Sequence, residues 1–347
     1  MWLLTKLNID PSANRSDESG RVIRSEEFHA IPHQLYPPDS PRHRCGFDPV
    51  GQHLRAGYVL QRNGEAVGRF ALYDNPDLRY DEQAAAAIGS YECIDDPKAA
   101  QLLLEAAQTA ARQLGKRHLI GPMEGSTWQT YRFSRHQQHR PFFSEPYHHL
   151  YYHEQFLANG FSEIAGYRSA LDESPRFDEE RFLRLEAHFR TRGIVLAMLN
   201  KEDLPAELQR IGKLSIEAFR QNFLYTPTSV EDFVKKYHPL VARLDPQFVW
   251  LAKNKASGEL VGFLFAFPDL LDPTGRTLLL KSAARAGQFR LRGLGTYLTD
   301  RIYRTATELG YTRILHAFMR DDNDSIRISE RLNGQTYNSY ALYNCKL

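Results

Sequence analysis

A chain of 347 residues is long enough for two domains, each with its own core. Its 42% hydrophobic and 25% charged content is that of soluble globular protein, and a net charge of +2 argues against both a nucleic-acid footprint and an anionic membrane surface. Cys45, Cys93 and Cys345 are odd in number and widely scattered, so neither a disulfide framework nor a paired metal motif is expected, which suits a reducing, cytoplasmic setting. No apolar run approaches transmembrane length, and the opening Met1-Trp2-Leu3-Leu4 is too short for a signal peptide because Lys6 and Asp10 interrupt it.

Residues 8–21 are polar and turn-rich and are expected to be mobile. A short strand over 22–25 leads into a helix or helical turn over 26–36, which Pro37-Pro38 stops. Strands over 57–61 and 66–73 form a hairpin around Asn63-Gly64, and 86–94 is a further strand. A helix over 99–114 carries Leu103, Ala106, Ala107, Ala110 and Leu114 on one face and ends at Gly115; a strand over 118–123 follows. Residues 121–128 are glycine-rich, but nothing around Ser126 has the elbow of a hydrolase nucleophile. The stretch 136–161 is dense in aromatic residues and histidines. His148, His149 and His153 with Glu145 and Glu154 suggest metal ligands, yet the i, i+4 pair fixes no third ligand, and a pocket wall or an interface between the halves is the better account.

A charged amphipathic helix over 177–190 links to a second half that opens with a strand over 194–199. A strand pair over 247–253 and 260–267 turns at Ser257-Gly258, a strand runs over 278–284, a helix over 295–309 ends at Gly310, and a strand covers 313–319. This repeats the order of the first half, and the words match too. Gly64-Glu65-Ala66-Val67-Gly68 aligns with Gly258-Glu259-Leu260-Val261-Gly262, and Ala111-Arg112-Gln113-Leu114-Gly115 with Ala306-Thr307-Glu308-Leu309-Gly310. Both pairs lie about 195 positions apart, at corresponding places, which indicates a duplication.

The stretch Leu278-Leu279-Leu280-Lys281-Ser282-Ala283-Ala284 reads as a buried strand, followed by Arg285, Arg290 and Arg292, the glycines Gly293 and Gly295, and a helix. Strand, basic glycine loop and helix N-terminus form an anion-binding arrangement, because glycine admits close backbone approach and first-turn N–H groups point outward. An ordinary turn with solvated arginines has the same local sequence; a dinucleotide fingerprint fits worse, since the third glycine is absent. The phrase Arg290-x-x-Gly293-x-Gly295 resembles the pyrophosphate motif of the GNAT superfamily of acyl-CoA-dependent N-acyltransferases, and the order of elements in each half resembles its fold. The implied fold class is α/β (α+β): two tandem GNAT-like domains, each a mixed, mostly antiparallel sheet flanked by helices. Residues 1–175 would be a degenerate copy, 176–190 a linking helix and 191–347 the acyl-CoA-binding catalytic copy. In the first copy the loop position holds Asp95-Asp96-Pro97-Lys98, whose carboxylates repel a diphosphate and whose proline lacks a donor.

The resemblance implies that Arg290 and Arg292 flank the diphosphate, that the main chain of Leu291, Gly293, Leu294, Gly295 and Thr296 cradles it, and that Ala283, Ala284 and Arg285 end the strand along the pantetheine arm, with an N–H near Ala284 facing the thioester oxygen. Asn323, with Gly334 after it, resembles the superfamily's Asn…Gly helix and would touch CoA. Two positions depart from the pattern. Glu330 stands where many members carry a tyrosine general acid, with Tyr340 on the last strand an alternative, and Lys281 stands on the strand where many members place a glutamate. Lys281, with Asn222, Tyr225 and Thr226 from the loop between helices over 217–231, would contact the acceptor.

The expectation is therefore direct transfer in a ternary complex from an acyl-CoA, most simply acetyl-CoA as co-substrate, to a small-molecule or peptide amine, without a metal, nucleic acid or membrane partner. The alternative is a non-catalytic CoA-binding or protein-interaction module. The acceptor, the acyl length, the general base and the oligomeric state are not legible in the sequence.

Overall fold

A computed structural model describes residues 1–10, 22–44, 48–49, 51–287 and 291–347. Cys45, Arg290 and most of the polar stretch 8–21 lie outside the described residues. The chain forms two compact units, whose limits differ from the expected domain boundaries. The first comprises Met1–Gly166 with Leu224–Thr226 and the last stretch, Asn338–Leu347; the second comprises Tyr167–Phe223 and Pro227–Tyr337.

In the first unit an edge strand that hydrophobic periodicity does not reveal, β1 (Trp2–Leu7), precedes helix α1 (Glu26–Leu35). Strands β2 (Leu54–Arg62) and β3 (Glu65–Tyr73) form the expected hairpin, in which Asn63 and Gly64 both take positive φ. Strand β4 (Gln83–Cys93), helix α2 (Pro97–Gln113), strand β5 (His118–Gly121) and the short helix α3 (Tyr152–Ala158) follow. The sheet runs β1-β2-β3-β4-β5, antiparallel except for the parallel pair β4/β5. Leu103, Leu104 and Ala107 of α2 cover it, packing with Phe70, Ile88 and Phe156.

Strand β6 (Ser162–Asp172) ends in the second unit. There follow α4 (Glu179–Arg190), β7 (Ile194–Met198), α5 (Leu204–Phe219), α6 (Val230–Val241), β8 (Val249–Asn254), β9 (Leu260–Pro268), β10 (Thr277–Arg285), α7 (Leu294–Glu308), β11 (Arg313–Arg320), α8 (Asp324–Arg331) and β12 (Gln335–Lys346). The sheet runs β7-β8-β9-β10-β11-β6, again antiparallel except for one parallel pair, β10/β11. The same strand order with the same parallel pair in both units is the structural form of the sequence duplication. In each unit the strand beside the parallel pair comes from elsewhere in the chain order: residues 343–346 of β12 pair with β5, and residues 167–172 of β6 pair with β11.

Helix α4, expected as a link between halves, is part of the second core. Phe182 and Phe189 pack on Tyr297 of α7 with ring centroids 5.3 and 5.4 Å away, and Arg181 clamps the buried Asp300 with bonds of 2.8 and 2.6 Å. A bidentate guanidinium–carboxylate pair at a fully buried oxygen positions α4 against α7 as well as neutralising it.

Candidate functional site

The second unit opens along its parallel pair. Strands β10 and β11 are bonded from Thr277↔Arg313 to Leu280↔His316 and no further. Beyond that point β10 stays paired only with β9, through Ser282, Ala283, Ala284 and Arg285. A bulge at Lys281, skipped in the register between Phe265 and Ala266, bends the strand where the two part. Ser282 and Ala283 are exposed although they lie within a strand bordered by two others, so the gap reaches solvent there. Their small side chains leave the main chain approachable. Lys281 places its ammonium 3.9 Å from the ring centre of Phe318 on the opposite strand, a cation–π contact across the opening.

Helix α7 starts at this opening. Its N-cap is Gly293 at φ +89°, a left-handed conformation that glycine adopts without a Cβ clash, and no side chain caps the helix. Leu291 and Leu294 are fully buried and anchor the loop from below, with Gly293 and Gly295 half-buried beside them. Leu294 packs where a Cβ on Gly262 would meet it at 2.7 Å, and Gly262 pairs with Arg285, so the end of β10 and the start of α7 meet over that glycine. Arg285 and Arg292 are exposed beside the first turn. On the far side, Ile328 of α8 stands 3.4 Å from the Cβ position of Gly295. An uncapped helix N-terminus, flanking guanidinium groups and an exposed strand edge together suit a ligand with anionic and amide-like parts.

The corresponding place in the first unit is closed. Asp96 caps α2, its Oδ1 accepting from the N–H groups of Lys98 and Ala99 at 2.8 and 3.0 Å, while Oδ2 accepts from Arg62 at 3.0 Å. Pairing of β4 with β5 stops at Ala87↔Ile120, and protein side chains fill the gap beyond. The Cys93 N–H donates to the Tyr152 hydroxyl at 3.2 Å, its carbonyl accepts from Tyr151 at 2.8 Å, the Ile94 carbonyl accepts from Gln155 at 2.9 Å and the Ser90 N–H donates to Glu124 at 2.6 Å. Every one of these main-chain groups has a partner within the unit.

The remaining expected site residues are dispersed. Asn323 is the N-cap of α8, its Oδ1 accepting from the Ser325 N–H at 3.1 Å, and it is exposed. Glu330 is exposed at the rim of a cavity of about 250 Å³ that Arg168, Met319, Ile326, Ser329 and Gln335 also line. Tyr340 belongs to the first unit, where it is fully buried and donates to Glu145. Tyr225 and Thr226 also belong to the first unit: Trp128 donates its indole N–H to the Thr226 carbonyl at 2.9 Å and its ring stands 6.1 Å from that of Tyr225. Asn222 closes the turn after α5 in the second unit, its N–H donating to the Phe219 carbonyl at 2.8 Å. Three histidines of 136–161 bond to carbonyls, His148 to that of Ser134 at 3.2 Å, His149 to that of Leu35 at 3.0 Å and His153 to that of Ser134 at 2.7 Å. Among the described residues no three His, Cys, Asp or Glu side chains converge as metal ligands.

One constellation has no motif in the sequence. His316, at the last paired position of β11, bonds through Nδ1 to the Ser329 hydroxyl at 2.6 Å and through Nε2 to the Tyr303 hydroxyl at 2.9 Å, and Tyr303 donates to Asp172 at 3.0 Å. All four are buried. Burial lowers the His316 pKa to about 4, so the imidazole is neutral, and burial with the charge of Asp172 drives the Tyr303 phenol far above its usual range. Gly334 makes room for the pair: a Cβ there would lie 2.3 Å from Ser329 Oγ and 3.1 Å from His316 Nδ1. Only that glycine, expected from the resemblance as a partner of Asn323, marks the place in the sequence.

No protein-family model matches the chain. Over 330 residues it is 23% identical to a protein of Caulobacter vibrioides described as a bacterial ceramide synthase, with 82% of each chain covered. Among solved structures it is similar to a GCN5-related N-acetyltransferase from Sphaerobacter thermophilus, at a TM-score of 0.54 and 12% identity over 99% of this chain and 95% of that one. It is also similar to a tandem GNAT protein from the clavulanic acid biosynthesis pathway, at a TM-score of 0.52 and 13% identity over 100% and 98%. With one strand order built twice, one parallel pair in each sheet and likeness to a tandem structure along its whole length, the chain carries the GNAT-like fold in tandem.

Proposed function

We propose that the chain is an acyl-CoA-dependent N-acyltransferase whose second unit binds the acyl donor and carries the reaction. The observation that supports this most is the contrast between equivalent helix starts: α7 begins at an uncapped glycine beside a parted strand pair, whereas α2 is closed by its own aspartate. In this assignment the first-turn main chain of α7 and the side chains of Arg285, Arg290 and Arg292 hold the diphosphate. The exposed edge at Ser282 and Ala283 pairs with the pantetheine amides, and an N–H near Ala284 takes up charge developing on the thioester oxygen. A ceramide is by definition a long-chain amine acylated on nitrogen. The relative described as a ceramide synthase thus favours an amine acceptor and extends the range of donors from acetyl-CoA to long-chain acyl-CoA.

Gly295→Ala tests the proposal, because the fold tolerates a methyl there, at ordinary contact distance from Ile328. Unchanged thermal stability with at least about tenfold weaker acyl-CoA binding, a loss of about 1.4 kcal/mol, is the expected result in a calorimetric titration. Equal affinity in both proteins would remove the phosphate-binding role from this loop. Thiol release from acetyl-CoA and from palmitoyl-CoA, with a panel of short- and long-chain amines, then distinguishes transfer from binding. Binding without turnover favours a non-catalytic CoA-binding module, for which the absence of a tyrosine at Glu330 and of a glutamate on β10 speaks.

A further inference from the structure

We infer that Ser329, held by His316, Tyr303 and Asp172, takes the proton from the acceptor amine at the cavity of the second unit. This deepens the acyltransferase assignment and rests on it, supplying the base that β10, with Lys281 in place of a glutamate, does not offer. The direction of the hydrogen bonds carries the inference. Asp172 accepts the Tyr303 proton, so the phenol oxygen is left to accept from His316 Nε2–H. Nδ1 is then the acceptor for the Ser329 hydroxyl, which leaves the serine oxygen lone pairs as the acceptor end of the chain.

Position supports the same role. His316 occupies the apex where β10 and β11 part, and Ser329 lines the cavity of about 250 Å³, to which Glu330 contributes a carboxylate and Arg168 a guanidinium. In the step itself, the amine nitrogen bonds to the thioester carbonyl carbon and the carbon–sulfur bond breaks. The amine proton passes to Ser329 Oγ as the serine's own proton passes to His316 Nδ1. Reversal of the same path returns a proton to the thiolate, so that free CoA thiol leaves and the chain is restored. Ser329 is the catalytic residue; His316, Tyr303 and Asp172 are positioning residues.

The test uses the full chain, with palmitoyl-CoA or acetyl-CoA and whichever amine the wild type acylates. Ser329→Ala is expected to lower kcat about 100-fold with the KM for acyl-CoA within about threefold, and Tyr303→Phe to lower kcat about tenfold. His316→Ala, whose vacated ring space adjoins Ser329, is expected to regain activity saturably with added imidazole, in proportion to its neutral form. A purely structural cluster would show no such rescue. Wild-type kcat in Ser329→Ala, or loss in His316→Ala that imidazole leaves untouched in a protein with native circular dichroism, overturns the relay alone. Absence of turnover by the wild type with every donor and amine overturns acyl transfer, and the relay with it.

Discussion

Gly334→Ala isolates the packing behind the buried Ser329–His316 pair. The added methyl would stand 2.3 Å from Ser329 Oγ, well inside contact distance, with the Ser329 carbonyl and His316 Nδ1 each at 3.1 Å. The backbone cannot yield easily, since the Gly334 N–H is bonded to the Ser329 carbonyl at 3.0 Å. The cheaper relief is rotation of the serine hydroxyl, which breaks its 2.6 Å bond to His316 and leaves two buried polar groups unsatisfied. That loss costs about 1–3 kcal/mol, and residual overpacking adds about 1 kcal/mol or more, so urea unfolding should show a destabilisation of about 2–4 kcal/mol. A double-mutant cycle separates the causes. If the clash is with Oγ, Ser329→Ala removes the atom being struck, and the double variant should be at least about 1 kcal/mol more stable than the sum of the singles. Strict additivity would refute the steric coupling and leave Gly334 as a residue of turn geometry alone.

Three further outcomes concern the two helix starts and the buried histidines. Gly293→Ala forces a Cβ into φ +89° and should cost about 1–2 kcal/mol in thermal or urea unfolding; a neutral result would show that the α7 start relaxes to ordinary helix geometry. Asp96→Ala removes the α2 cap and should cost about 1 kcal/mol while leaving acyl-CoA affinity unchanged, and weaker acyl-CoA binding in a titration would bring the first unit into the donor site. On acidification, His316 and His148, whose pKa values burial lowers to about 4 and about 3 from 6.5, favour the unfolded state, which takes up protons first. Their stability contribution is complete above pH 6.5 and is lost as pH falls toward those values, by about 3 kcal/mol for His316 alone. Urea midpoints from pH 7.5 to 4.5 should fall and the fall should shrink in His316→Gln; a flat profile would contradict neutral burial.

Where function and local chain geometry coincide, the sequence is readable. Asn63-Gly64 demands a turn because the residues' own sterics dictate the conformation, whereas the left-handed start of α7 at Gly293 and the capping of α2 by Asp96 show in the structure. The bulge at Lys281, which no residue pattern announces, lies where β10 parts from β11. What escapes depends on distant partners. Asp172, Tyr303, His316 and Ser329 lie on four separate elements, and no spacing rule ties a strand-end aspartate to a helix tyrosine more than a hundred residues later. Tyr340 misleads for a related reason: its sequence neighbourhood suggests the second half, but β12 gives its later residues to the first unit, where Glu145 accepts from the hydroxyl. Strand β1 escapes because Leu3 and Leu4, on opposite faces of this edge strand, are both exposed, so it lacks the clean alternation of a half-buried strand.

Duplication explains why one copy could close without loss of the fold. The GNAT-like architecture leaves a main-chain seam at its parted strands, and unpaired main-chain groups in a seam need a partner. In the second unit the geometry stays open, with small residues on β10, glycine at the cap and arginines beside it. In the first unit the same need is met from within, by Tyr151, Tyr152, Gln155 and Glu124 along the seam and by Asp96 at the helix. Each substitution of protein for ligand stabilises the empty state, and together they make reopening costly, because a diphosphate would have to displace a carboxylate already bonded to two N–H groups and an arginine. The aromatic and histidine-rich stretch that invites a metal-site interpretation thus supplies Tyr151, Tyr152 and Gln155 to that seam. Its composition follows from that role, with rings large enough to occupy the space and hydroxyl and imidazole groups to satisfy the main chain it exposes.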